Sequence, residues 1–164
     1  MACPFFMPTG RLENGAWPHP ARLPLGRGWT GHCTAPGHDG EIPDSATIEQ
    51  FCNMGYSAGC AKLPSDRTWD AVRFSPIGVR AAHSMRPSKI CLRYVCERSH
   101  LPVENGILEF DMGTARCTQP HPDARVQKMA ECFLASYIEQ WKLRGAGVFT
   151  NVPALDCPTP EREP

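Results

Sequence analysis

The chain has 164 residues, enough for one ordinary domain or a domain with a small appended module. Its 17 basic and 17 acidic side chains cancel, so no net field draws it to nucleic acid or an anionic membrane. No run of eighteen apolar residues exists to span a bilayer. The start, Met1-Ala2-Cys3-Pro4-Phe5-Phe6-Met7-Pro8, has neither the charged region nor the unbroken apolar run of an export signal. A cytoplasmic location is therefore expected, where thiols stay reduced. Nine cysteines, an odd number, then argue for metal ligation over a disulfide framework.

Residues 1–61 hold seven of the 17 prolines, nine of the 14 glycines and no valine. Their only Leu, Ile and Phe residues are Phe5, Phe6, Leu12, Leu23, Leu25, Ile42, Ile48 and Phe51, fewer than a segment of this length needs for a core of its own. Yet the segment also carries Trp17, Trp29, Tyr56 and four cysteines, which disordered chains rarely keep. It reads as an irregular module, residues 1–66, stapled by something other than apolar burial. One helix is expected in it. Asp44 or Ser45 supplies the N-cap, Ile48, Phe51 and Cys52 share a face, and Gly55 stands at the C-cap position. Cys52 then lies in the last turn, and Cys60 follows through a Gly-containing bend.

Residues 67–146 read as a small antiparallel sheet and a helix. Val72 and Phe74, then Ile90, Leu92, Tyr94 and Cys96, then Leu108, Phe110 and Met112 recur at every second position. Asn105-Gly106 predicts a two-residue hairpin turn between the second and third runs, with Pro102 at a sheet edge. Between Lys62 and His100 eight basic residues face three acids, a possible docking face, although a solvated mixed surface accounts for it as well. From Asp123 a long helix is expected, with Val126, Met129, Ala130, Phe133, Tyr137 and Trp141 as its apolar stripe and Gly145 at its end. Residues 147–164 form a Pro-rich tail without periodicity, read as mobile. The expected class is α+β: a Cys-ligated N-terminal module, then a sheet packed against one C-terminal helix.

Cys3, Cys33, Cys52 and Cys60 are the candidate ligands. Cys3 precedes a proline, as cluster thiolates often do, and Cys33 sits among small residues that let backbone amides approach its sulfur. Four thiolates suit a [4Fe–4S] cluster or a structural zinc. The intervening stretches are 29, 18 and 7 residues long, whereas structural zinc takes its ligands in close pairs. The spacing therefore favours the cluster, with zinc as the alternative and His32 or His38 as a replacement for one cysteine. Cys91 and Cys96 read as small buried residues in strands, Cys132 as lying off the helix stripe, and Cys117 and Cys157 as incidental.

An iron–sulfur protein with a structural or electron-transfer role and a protein partner is thus the expectation. The weaker alternative is a zinc-bearing interaction module. Catalysis has little support: no residue earns a catalytic role, since neither His32 beside Cys33 nor a His100–Asp111 pair across the hairpin belongs to a recognised catalytic motif. Nucleic-acid binding is disfavoured because no continuous basic–aromatic platform is evident.

Overall fold

The computed structural model describes residues 1–12, 23–54, 56, 59–81 and 87–144. Its larger sheet contains strands β3 (Ala71–Ala81), β4 (Pro87–Arg98), β5 (Leu101–Asp111) and β6 (Arg116–Cys117), antiparallel and in chain order. The expected alternation becomes a buried face of Val72, Phe74, Ile90, Leu92, Cys96, Leu108 and Phe110. Arg73 and Arg93 project from the opposite, exposed side. Pro76 is tolerated because β3 is an edge strand, and the register slips between Pro76 and Gly78.

The β4–β5 hairpin forms as expected, but not at Asn105-Gly106. The chain turns at Ser99 and His100, whose φ values of 50° and 64° are those of a type I′ turn. Asn105 and Gly106 lie inside β5, opposite Val95 and Tyr94. Gly106 is required there for another reason: a Cβ would stand 2.7 Å from the Tyr94 ring, which covers it.

The C-terminal helix α2 spans Ala124–Arg144. Asp123 caps it, accepting hydrogen bonds from the amides of Arg125 (2.8 Å) and Val126 (3.4 Å). Val126, Met129 and Ala130 are fully buried, and Phe133 meets Phe74 with ring centroids 5.9 Å apart. The buried arc is wider than the expected stripe, since Cys132, Leu134 and Ser136 are also enclosed. Gly55, Gly145, residues 147–164 and the side chain of Trp141, all used in the sequence reading, lie outside the described residues.

The extra burial comes from a second sheet that the sequence did not suggest. Strands β1 (Phe6–Arg11) and β2 (Trp29–Cys33) pair antiparallel, with a bulge between Pro8 and Gly10. The N-terminal segment is thus less irregular than expected, although Pro, Gly and Thr in FMPTGR and WTGHC hide the period. This sheet lies along α2. Arg11 and Arg27 both pair with Glu139 (2.8 and 3.1 Å), Gln140 donates to the Gly26 carbonyl (3.2 Å), and Gly26, with φ of 73°, leaves room for Ser136. Phe6, Leu25 and Trp29 join one apolar cluster with the larger sheet and the helix. The N-terminal segment therefore borrows a core even though it lacks one.

Candidate metal centre

Cys3 is held by the larger sheet. Ala2 and Val72 exchange two backbone hydrogen bonds (2.8 and 3.0 Å), which docks the terminus against β3. The Cys3 amide then donates to the carbonyl of Cys52 at 3.3 Å, so these two cysteines are backbone neighbours despite their separation in sequence.

Cys33 closes β2, opposite Phe6 in the ladder. The loop that follows folds back on it: Cys33 donates to Glu41 O (2.8 Å) and Gly40 donates to Cys33 O (2.9 Å). Gly37 and Gly40, at φ near +80°, permit that return. The Ala35 amide points to the Cys33 sulfur at 3.5 Å, the kind of amide approach that the small residues were expected to allow. Thr34 fastens the loop to Phe5, through its amide (2.8 Å) and its hydroxyl (2.9 Å).

Cys52 ends a helical segment, as expected, but that segment is not one regular helix. A single α turn, α1 (Ser45–Thr47), capped by the Asp44 carboxylate on the Thr47 amide (2.7 Å), opens into a π-helical turn over Ile48–Cys52. The wider turn brings Asn53 round to the β2 backbone. Its buried amide accepts from Trp29 N (3.0 Å) and donates to Trp29 O (2.9 Å). Asn53 thereby locks the Cys52 turn to the strand that carries Cys33. Sequence reasoning missed it, and the one available signal was a polar residue directly after a cysteine turn. Tyr56 does the equivalent for the chain leading to Cys60, hydrogen-bonding the buried Glu97 of β4 and stacking on His100 at 4.0 Å. Burial and the adjacent Glu97 carboxylate push the Tyr56 hydroxyl up to about 12.

Cys3, Cys33, Cys52 and Cys60 all line one cavity, closed by Phe5, Phe6, Phe51, Ala35, Leu63 and Lys62 among others. The cavity itself measures about 20 Å³ and is partly open to solvent. None of the four is in a disulfide. Burial, and then the proximity of Cys3, Cys60 and Cys33, pushes the Cys52 thiol up to about 12. The Cys52 sulfur thus feels the other three, and four thiolates gathered here would require a positive charge among them. Among the described residues, no three His, Cys, Asp or Glu form a group that could hold a metal ion as they stand.

The histidine variant gains no support. Neither His32 nor His38 borders the cavity, and His38 pairs with Glu41 at 2.8 Å. The imagined His100–Asp111 pair is also overturned, since His100 is in the turn before β5 and Asp111 ends that strand. Outside the site, Cys96 and Cys132 are buried as small apolar groups, Cys132 against the expectation that it lies off the stripe. Cys91 is disulfide-bonded, so the reading of it as a plain buried thiol is corrected. Four of the eight basic residues of the middle are paired with acids: Lys62 with Glu41, Arg67 with Asp70, Arg73 with Glu97 and Lys89 with Glu109. No helix among the described residues is long and apolar enough to cross a membrane.

Comparison with protein-family models, with curated proteins and with solved structures found no match to this chain.

Proposed function

We propose that the chain binds one [4Fe–4S] cluster through Cys3, Cys33, Cys52 and Cys60, in a structural or electron-transfer role toward a protein partner. The observation that carries this reading is the gathering of four sequence-distant cysteines on the wall of one cavity. Their environment adds support. The Cys52 thiol, whose ionisation burial and the other three cysteines oppose, would be stabilised as a thiolate by a polycationic core. The four cysteines are separated by 29, 18 and 7 residues with no close pair, which favours a cubane, whose corners each meet a separate thiolate, over a structural zinc.

Anaerobic reconstitution with iron and sulfide tests the reading. The expected product is brown, with four iron and four sulfide per chain and an electron paramagnetic resonance signal after one-electron reduction. Changing any of the four cysteines to Ser is expected to lower cluster retention. A colourless chain that binds one zinc would replace the cluster with the zinc module, and a chain that takes up neither would end both readings.

A further inference from the structure

We propose that Lys62, held by Glu41 at the wall of the cysteine cavity, is the charge that sets the reduction potential of the cluster bound there. The inference rests on the cluster reading above. Among the described residues that line the cavity, Lys62 is the one charged side chain. It follows Cys60 by two residues, and its ammonium lies within electrostatic reach of both Cys33 and Cys60.

A cation beside a cluster stabilises the reduced form, which carries one more negative charge, and so raises the potential. How much Lys62 contributes depends on how far its charge is cancelled. Its partner, Glu41, is 45% exposed and is shared with His38, whereas the Lys62 side chain is 24% exposed. The carboxylate is therefore the more exposed, and the more strongly screened, member of the ion pair. Arg125, which stands over the Phe5 ring and is held by both oxygens of Asp123 (3.0 and 2.5 Å), also feels Cys3 but does not line the cavity. Lys62 and Glu41 therefore form the adjustable pair.

The two partners make opposite predictions, which separates electrostatics from mere loosening of the loop. In a spectroelectrochemical titration of the full-length reconstituted chain, Lys62→Gln is expected to lower the reduced-to-oxidised ratio at fixed potential about tenfold, or about 59 mV for one electron. Glu41→Gln, which uncovers the ammonium, is expected to shift the potential upward, and Lys62→Arg to stay near the parent value. Shifts of one sign in both Gln variants, or no shift in either while the cluster is retained, would overturn the role of Lys62 and leave the cluster reading standing. A parent chain that takes up no cluster would remove both.

Discussion

The β3–β5 sheet and the cysteine-bearing segment before it reach order by different physical routes. In the sheet, apolar residues alternate along three strands, and burying their common face under α2 pays for the backbone entropy. In residues 1–63 the apolar residues are few. Phe6, Leu25 and Trp29 lean on the same core, and the rest is positioned by polar fastenings: Asn53 on Trp29, Thr34 on Phe5, Tyr56 on Glu97, Ala2 on Val72. The sheet is held by area and the cysteine segment by a small number of specific bonds. Such bonds stabilise less in sum but fix positions more sharply, which is what a ligand set needs.

The largest expected effect is loss of the ligand set. If the proposed cluster is bound, then on its removal by chelation, or in Cys52→Ser, amide exchange in β1 and β2 should accelerate by several orders of magnitude while β4 stays protected. Structural metals contribute on the order of 10 kcal/mol to folds that lack cores. Equal protection of both sheets without the cluster would show that docking on α2 suffices, and would erase the distinction between the two regions.

Next comes Leu92→Ala, fully buried at the centre of the larger sheet. A loss of about 2–5 kcal/mol in global unfolding by denaturant is expected, with cluster stoichiometry unchanged. Asn53→Ala should cost about 2–3 kcal/mol by leaving the buried amide and carbonyl of Trp29 without partners. Unlike Leu92→Ala it should also weaken cluster retention, because it frees the turn carrying Cys52 from the strand carrying Cys33. Gly106→Ala is expected to cost about 1–3 kcal/mol, since its Cβ would collide with the Tyr94 ring. Asn105→Ala, at an exposed position within the strand, should change stability by less than about 0.5 kcal/mol. A large Asn105 effect would return the turn to Asn105-Gly106.

The smallest effect concerns acid. The Ser99 amide (2.7 Å), and then Arg67 (2.6 Å), hold the Asp70 carboxylate below its ordinary range. A depressed carboxylate stabilises the fold above its unfolded value of about 3.9, and that contribution disappears as pH falls through the folded value. Asp70→Asn should therefore lower the midpoint of thermal unfolding near neutrality and flatten its fall on acidification. A parallel downward shift at every pH would assign Asp70 a packing role instead.

Much of this architecture was legible in the chain. Periods of two and of about 3.6 are imposed by how strands and helices present side chains, so the larger sheet and α2 could be read from where Val72, Ile90, Leu108, Val126 and Met129 recur. The choice of Cys3, Cys33, Cys52 and Cys60 came from the same source, as cysteines in a segment too poor in aliphatic residues to need them as filler. What stayed hidden depends on partners distant in sequence. Gly106 serves Tyr94 across a strand pair, and the dipeptide Asn105-Gly106 cannot reveal that a ring lies over it. β1 and β2 are strands because α2 and the shared core give them a surface to cover, not because their residues favour extension. The four cysteines follow the same division. Local sequence determined which residues have ligand chemistry; the docking of Ala2 on Val72 and the clasp of Asn53 on Trp29 decided that their sulfurs border one cavity, because only contacts between remote segments can bring such residues together.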